Sequence, residues 1–356
     1  MSKKAKKIIR ITALSLAGLL LVTLITAWII LRGRIKTMLS IRNVGDDLYT
    51  MDYQQNYHLD DALAAGIRNE DDLLKFVCDD LFFGYQIEGN FSKYGCAAFC
   101  TPAPGGKRLM GRNFDLFGSD TVCVYTHPKD GYAAVSTVST DMVSVGEKSE
   151  NTTTSFLGRA ALLAAPYMSL DGMNEKGLAV SLLDTDRNSE THLNTEAPEL
   201  IVTMAIRLLL DRAATVDEAI DLLRQYDIHT AHGWTQHIFI ADAAGNTAVA
   251  EWHNNEMTVV RYPVCTNFRM TELSAEGDYS GMCERFDLLD KALKDKPENT
   301  PEEAMKLLEA AKQEPLYSAD NVYTEWSVVF DLTDFTLDYA VNRDYGKVYH
   351  LDPRDL

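Results

Sequence analysis

The sequence has few basic residues and few cysteines. Only 34 of its 356 residues are Lys or Arg, against 52 Asp or Glu, and the net charge at pH 7 is −18. This balance argues against a nucleic-acid partner, because a phosphate backbone is bound by basic side chains that displace its counterions. The six cysteines include no Cys-x-x-Cys pair, which argues against a redox protein and against a disulfide-dense scaffold.

Charge is absent from residues 11–31, which are mostly apolar. As a helix rising 1.5 Å per residue, this run matches the ~30 Å hydrocarbon core of a bilayer. The lysines before it also resemble the basic start of a secretory signal peptide. We favour a retained transmembrane helix, since the run is longer than a usual signal core and no small-x-small cleavage site precedes Arg32.

Basic residues are concentrated around this segment. Five precede it and three follow it by residue 36, and this part of the chain has no acidic residue. Because positively charged flanks stay in the cytoplasm, we expect a cytoplasmic tail at residues 1–10 and an acidic, extracytoplasmic body. The expected location is thus the cell membrane, with the lipid bilayer as a partner of residues 11–31.

The body divides into a connector and a larger domain. Apolar residues recur at helical spacing from residue 60 to 83, so residues 32–95 are predicted to be a helical connector or pro-segment. Residues 96–356 show blocks of strands and blocks of helices, which is typical of an α+β fold with a large antiparallel sheet. The predicted strands are 97–101, 108–114, 122–126, 133–138, 178–183, 236–242, 247–252, 257–262, 326–332, 336–342 and 347–351. The predicted helices are 199–212, 216–225, 282–294 and 301–312, the last with a capping box of Thr300 and Glu303.

A predicted hairpin carries the first candidate nucleophile. Strands 97–101 and 108–114 flank a turn rich in Pro and Gly. Their pairing brings Cys96 near Arg112, whose guanidinium favours the thiolate. Taken alone, a single cysteine is more often a buried structural residue.

Five short blocks occur in order between Gly95 and Phe286. They are Gly95-Cys96, Gly111-Arg112-Asn113-Phe114-Asp115, Asp171-Gly172-Met173-Asn174-Glu175-Lys176-Gly177-Leu178, Cys265-Thr266-Asn267, and Gly277-Asp278-Tyr279-Ser280 with Arg285-Phe286. Together they resemble the choloylglycine hydrolase family of N-terminal-nucleophile (Ntn) hydrolases, which includes bile salt hydrolases and penicillin V acylases. The resemblance implies a four-layer αββα sandwich that cleaves a linear, non-peptide C–N bond of a small-molecule acyl amide.

The resemblance also implies a role for five residues. Cys96 is the nucleophile, and its freed α-amino group, with a pKa near ~8, is the general base. Asp115 orients that amine and Arg112 stabilises the thiolate. Asn267 donates to the oxyanion, and Arg285 completes the polar network. No metal or organic cofactor is implied.

Two features depart from the family pattern. Cys96 is internal, so the chemistry requires cleavage of the Gly95–Cys96 bond. The related isopenicillin N acyltransferases and N-acylethanolamine amidases cut themselves at such a bond, where glycine permits a strained backbone. Asp184 stands where the family has an oxyanion-hole Asn, and a carboxylate would oppose an oxyanion. Either the register differs by one residue or a backbone N–H is the second donor.

Other candidates have simpler interpretations. Cys100-Thr101 also resembles a mature N-terminus, but Cys100 is four residues too close to Arg112 and is predicted to pack in the strand. Cys78, Cys123 and Cys283 are predicted to be buried or paired, Cys265, Trp234, Trp252 and Trp326 to belong to the core, and Asp171 and Glu175 to be turn and surface residues. A zinc site at His229, His232 and His237 lacks a partner carboxylate.

Three functions therefore remain open. The first is a membrane-anchored Ntn hydrolase that forms an acyl-thioester on Cys96. The second is an acyltransferase, in which an amine captures the acyl group instead of water. The third is an unprocessed ectodomain that binds a ligand without catalysis.

Overall fold

The computed structural model describes residues 2–84, 95–143, 152–185, 195–231, 235–253, 256–271, 278–315 and 322–356. In chain order the elements are α1 (Lys3–Ser40), β1 (Arg42–Gly45), β2 (Leu48–Tyr53), α2 (Leu59–Ala65), α3 (Glu70–Leu81), β3 (Gly95–Ala103), β4 (Lys107–Leu116), β5 (Thr121–Thr126), β6 (Ala134–Ser139), α4 (Phe156–Ala161), β7 (Asp171–Asn174), β8 (Leu178–Asp184), β9 (Glu199–Ile201), α5 (Val202–Arg212), α6 (Val216–Leu223), β10 (Asp227–His229), β11 (Gln236–Asp242), β12 (Thr247–His253), β13 (Glu256–Val260), β14 (Val264–Cys265), α7 (Glu284–Asp295), α8 (Pro301–Ala310), β15 (Tyr323–Asp331), β16 (Thr336–Val341) and β17 (Tyr349–Leu351).

Two large sheets form the centre of the fold. One has nine strands in the order β1-β2-β5-β6-β7-β8-β11-β12-β13, and the other has six in the order β14-β3-β4-β15-β16-β17. Their inner faces pack on each other, as the 2.7 Å contact between the hydroxyls of Thr137 on β6 and Tyr339 on β16 shows. The space between the sheets is therefore the main core.

Helices cover both outer faces. Helices α5 and α6 pack on the nine-stranded sheet, and α7 and α8 pack on the six-stranded sheet. In α6, Val216, Ala219, Ile220 and Leu223 are buried, which is the i, i+3, i+4, i+7 stripe of a helix with one apolar face. The four layers confirm the predicted α+β class and αββα sandwich.

Helix α1 extends beyond the predicted apolar segment at both ends. Within the described part of the chain, it is the one helix long and apolar enough to cross a membrane. Its last turns join the folded body, since Thr37 and Met38 are buried and Arg34 donates to the carbonyl oxygens of Asp80 and Leu81. The helix therefore continues without a break into the domain.

The segment between α1 and β3 has two helices, α2 and α3, where the apolar spacing of residues 60–83 predicts helix, but the predicted connector is not purely helical. Strands β1 and β2 precede the two helices, with Asp46 in a left-handed conformation at the tight turn between the strands. Strand β2 then pairs in parallel with β5 along its whole length. Leu48, Met51 and Tyr53 are buried because β2 lies inside the nine-stranded sheet, between β1 and β5.

Candidate active site

Strands β3 and β4 form the predicted hairpin. Gly95 lies opposite Asp115, and Ala98 lies opposite Arg112. Because side chains alternate between the two faces of a strand, Cys96 and Arg112 share a face. That face is turned toward the nine-stranded sheet, where the carbonyl oxygen of Leu182 on β8 receives contacts from both side chains.

The Cys96 thiol is completely buried. Its Sγ lies 3.7 Å from the Leu182 carbonyl oxygen, to which Arg112 Nη2 donates at 2.8 Å. Burial raises the pKa of the thiol to about 12; Arg112 opposes this shift, whereas Asp115 and Asp184 add to it. In the intact chain the thiol is therefore protonated at neutral pH.

Arg112 is held in place by Asp171 on β7. Its Nε donates to Asp171 Oδ2 at 2.8 Å, and the indole nitrogen of Trp326 donates to the same oxygen at 3.1 Å. Asp171 is fully buried, so its interpretation as a turn residue at the surface is wrong. Arg112 Nη1 has no hydrogen-bond partner among the described residues. The Nη1 group of Arg112 can therefore still donate a hydrogen bond.

The backbone nitrogen of Cys96 has a side-chain acceptor. It donates to Asn267 Oδ1 at 2.7 Å. Arg285, at the start of α7, also contacts Asn267 and Cys96. Its Nη2 donates to Asn267 Oδ1 at 2.9 Å and to the Cys96 carbonyl oxygen at 3.0 Å. Its Nη1 donates to Asp115 Oδ2 at 2.6 Å. One guanidinium therefore links three of the other predicted site residues.

Asn267 also contacts the end of β8. Its Nδ2 donates to the backbone oxygen of Asp184 at 2.7 Å. An amide NH₂ has two donor hydrogens, so one remains for an oxyanion. The Asp184 carboxylate accepts from Gln236 Nε2 at 3.2 Å. Asp184 thus contacts Asn267 through its backbone oxygen and Gln236 through its side chain.

Asp115 packs directly against Gly95. A Cβ atom at Gly95 would lie 2.8 Å from Asp115 Oδ2, so any side chain at this position would require the Asp115 carboxylate to move. The other oxygen, Oδ1, accepts from Thr324 Oγ1 at 2.6 Å. Gly95 lies within strand β3 and is not among the glycines with positive φ. The close approach of Asp115, rather than a strained backbone, is the reason for glycine here.

A buried Cys–His–Glu chain lies behind this site. Cys265 Sγ is 3.3 Å from His237 Nε2, and His237 Nδ1 is 3.0 Å from Glu251 Oε1. All three residues are almost completely inaccessible to solvent. The Glu251 carboxylate therefore orients the ring of His237, and the prediction of Cys265 as a core residue fits its burial.

Glu251 holds the segment that carries Asn267. It accepts from the backbone nitrogens of Met270 and Thr271 at 2.8 and 2.9 Å, and from Thr271 Oγ1 at 2.7 Å. Burial acts to raise the pKa of Glu251, but the hydrogen bonds from His237, Met270 and Thr271 outweigh it and lower the pKa. The sequence gives no sign of Glu251, which lies in an apolar strand far from the five family blocks.

The remaining candidates divide into three groups. Five of the six cysteines are buried, and Cys283 is partly exposed. Trp252 and Trp326 are buried, as predicted for core residues. Three residues named in the sequence interpretation lie outside the described part of the chain: His232, Trp234 and Gly277.

The start of β3 thus combines a thiol, a carboxylate, two guanidinium groups and a carboxamide in an Ntn-type αββα sandwich. The family model of acyl-coenzyme A:6-aminopenicillanic acid acyl-transferase matches residues 101–344, and the chain belongs to this family. No curated protein matches the sequence.

Solved structures share the fold. Penicillin V acylase from Agrobacterium tumefaciens superposes with a TM-score of 0.53 and 19% identity, covering 73% of this chain and 87% of that one. A mutant of the conjugated bile acid hydrolase from Clostridium perfringens gives a TM-score of 0.52 and 16% identity, covering 73% of this chain and 93% of that one. The predicted resemblance to the choloylglycine hydrolase family is confirmed.

Proposed function

We propose that the protein is a membrane-anchored cysteine Ntn hydrolase. It cleaves a linear, non-peptide amide of a small acyl compound through an acyl-thioester on Cys96. The observation that carries this proposal is the contact between the Cys96 nitrogen and Asn267 Oδ1, within a network closed by Arg285 and Asp115. A nitrogen held in this way becomes an oriented amine once the bond before it is cut.

Processing of the Gly95–Cys96 bond is the first step of this proposal. Cys96 Sγ attacks the Gly95 carbonyl carbon, and the acyl group moves from nitrogen to sulfur while the thiol proton passes to the nitrogen. Water then hydrolyses the thioester, which restores the thiol and leaves a carboxylate on residues 1–95. In the intact chain the Cys96 thiol is buried and protonated. Its nitrogen is part of a peptide bond, so it cannot act as a base. Both features support a need for this cleavage.

The processed enzyme then uses the same groups on a substrate. The new α-amine takes the thiol proton, the sulfur attacks the amide carbonyl, and the leaving amine receives that proton. The free N–H of Asn267 donates to the oxyanion, a type of contact that contributes about 10²–10³-fold to kcat. Water releases the acid from the thioester. The C–S bond forms as the C–N bond breaks, and water later breaks the C–S bond, with Arg112 beside the sulfur.

Acyl transfer is the second candidate reaction. The family that matches residues 101–344 is described by an acyltransferase activity. An amine that enters in place of water would form a new amide from the same thioester, and no group of the site has to change. The two reactions therefore differ only in the acceptor.

The membrane anchor is a separate part of the proposal. Helix α1 has an exposed apolar stretch with basic residues on both sides, and its C-terminal turns are docked on the catalytic body. We place the N-terminus in the cytoplasm, since five basic residues precede the stretch and three follow it. The active site then works outside the cytoplasm, close to the bilayer.

The test is product analysis with full-length protein in detergent. N-acyl amides of increasing chain length are incubated with and without an added amine, and acid-quenched protein is examined for an acyl group on Cys96. Cys100→Ala is the matched control for Cys96→Ala, because both thiols are buried on the same strand and face. Hydrolysis that is lost only in Cys96→Ala supports the proposal. Equal turnover by both variants, or binding without turnover by processed wild-type protein, contradicts it.

A further inference from the structure

A second cluster of chemically active side chains lies on the small sheet formed by β9 and β10. The parallel register of these strands sets Glu199 opposite Asp227 and places His229 two residues further along β10. Residues i and i+2 of a strand share one face. One oxygen or ring nitrogen from each of the three residues lies within 4.8 Å of the other two.

The carboxylates of Glu199 and Asp227 are expected to repel each other, because like charges directly opposite each other destabilise a sheet. Asp227 is 1% exposed. Its Oδ2 accepts from Thr195, but Oδ1 has no hydrogen-bond partner among the described residues. That oxygen lies 3.9 Å from His229 Nε2, which also contacts Glu199 Oε2. A buried, unpartnered oxygen and an imidazole nitrogen therefore converge on one point.

We propose that Glu199, Asp227 and His229 form a binding site for a divalent transition-metal ion, with Zn²⁺ as the best match. One imidazole nitrogen and two carboxylate oxygens are typical ligands of this ion. The two side chains that are partly exposed, Glu199 and His229, leave the outer coordination positions to water. The structure supplies the carboxylates that the histidine spacing in the sequence does not reveal.

The distances are close to those of a zinc site. Zinc lies about 2.0–2.2 Å from its nitrogen and oxygen ligands, so two ligands of one tetrahedral ion are about 3.4 Å apart. The 3.9 Å between Asp227 Oδ1 and His229 Nε2 is slightly longer, so these two atoms have to move closer together when the ion binds. The Glu199 oxygen has to move outward to admit the ion, which a side chain about one-third exposed can do.

The consequence of binding is structural. Thr195 donates its backbone nitrogen at 2.8 Å and its hydroxyl at 3.1 Å to Asp227 Oδ2, which orients the other oxygen toward the site. The ion joins β9 to β10, and β9 leads directly into α5, which packs on β7 and β8. The inference therefore does not depend on the proposed amidase activity, and its test needs no substrate.

The experiment is a titration of chelator-treated, full-length protein with Zn²⁺ alone, followed by calorimetry and by melting temperature. We expect saturable binding and a higher melting temperature for wild type. Glu199→Gln and His229→Gln, both partly exposed and so compatible with folding, should lower the affinity about 100-fold. His350→Gln is the matched control, because His350 Nδ1 faces a single carboxylate, Asp338 Oδ1, at 2.7 Å; it should titrate like wild type.

Three results would overturn the proposal. A wild-type melting temperature that Zn²⁺ does not change would show that the cluster is an ion pair of His229 with its acidic neighbours. Unchanged Zn²⁺ affinity in His229→Gln would place the ion elsewhere. Equal stabilisation of wild type and His229→Gln by Ca²⁺, with none by Zn²⁺, would show a carboxylate site without the imidazole ligand.

Discussion

The backbone nitrogen of Cys96 lies 2.7 Å from Asn267 Oδ1, although the two residues are 171 positions apart in the sequence. Strand pairing explains this contact: Cys265 on β14 lies opposite Ala98 on β3, so the antiparallel path of the chain brings the second residue after Cys265 beside Cys96. The nitrogen that would become the catalytic amine thus has its partner before any bond is cut.

Replacement of Gly95 by alanine should block processing. The new Cβ would lie 2.8 Å from Asp115 Oδ2 and would push the carboxylate away from the Gly95–Cys96 bond. A displacement of about 1 Å in a catalytic group can reduce a rate ~100-fold. The processed fraction of Gly95→Ala, followed over time by mass spectrometry, should fall accordingly. Gly18→Ala, where a Cβ has no neighbour within 4 Å, should process like wild type.

Arg285→Lys should inactivate the processed enzyme although it keeps the positive charge. The guanidinium donates to Asp115, Asn267 and the Cys96 carbonyl at once, and an ammonium on a single stem cannot match that fork. We expect kcat/KM for an acyl amide to fall about 100-fold. Arg261→Lys is the control, since Arg261 makes an exposed ion pair with Asp217. Retention of activity in Arg285→Lys would show that charge alone is sufficient.

Glu251→Gln should lower both the free energy of unfolding and kcat. Glutamine keeps the shape of the side chain but removes the charge that accepts hydrogen bonds from His237, Met270 and Thr271. Hydrogen bonds to charged groups contribute about 1.5–3 kcal/mol, so the free energy of unfolding should decrease on that scale. Because Glu251 acts through Asn267, kcat should fall with little change in KM. Glu256→Gln, at an exposed position of the next strand, is the control; a larger effect on KM than on kcat would refute a positioning role.

The free energy of unfolding should fall as the pH rises from 5 to 8, and the buried carboxyl of Glu325 is the cause. Burial raises the pKa of this carboxyl to about 8, while Ser119 donates to only one of its oxygens. The unfolded chain loses this proton near pH ~4.3, so between ~4.3 and 8 only the folded state holds it and the free energy of unfolding decreases with pH.

Glu325→Gln should remove this dependence. Relative to the variant, wild type should lose on the order of 3 kcal/mol between pH 5 and pH 8, measured by denaturant unfolding at both values. The exposed Glu309→Gln serves as the reference for a carboxyl without burial. A difference between wild type and Glu325→Gln that does not change with pH would contradict the raised pKa.

Local signals in the sequence predict much of the domain. The turn before β4 and the capping box of Thr300 and Glu303 are both present, because they depend on residues that are close in sequence. The family blocks also place Cys96, Arg112, Asp115, Asn267 and Arg285 around one point. Strands β9, β10 and β14, which the prediction missed, have two or three residues each and are too short for a period to show.

Partners contributed by distant strands could not be predicted. Asp171 is buried because Arg112 and Trp326 from the opposite sheet meet it, and nothing near it in the sequence indicates this. Glu251 and the carboxylates beside His229 are likewise brought into place only by strand register. Family blocks therefore identify residues that the fold brings together, while the residues that hold them in place depend on tertiary packing.

Intact mass under native and denaturing conditions tests the central claim most directly. Wild type should give two fragments, residues 1–95 and 96–356, that separate only in denaturant, because β2 stays paired with β5 in the same sheet. Cys96→Ala should give one uncut chain, and Cys100→Ala should be cut like wild type. A single full-length mass for wild-type protein, or the same cut in Cys96→Ala, would contradict self-processing at Cys96.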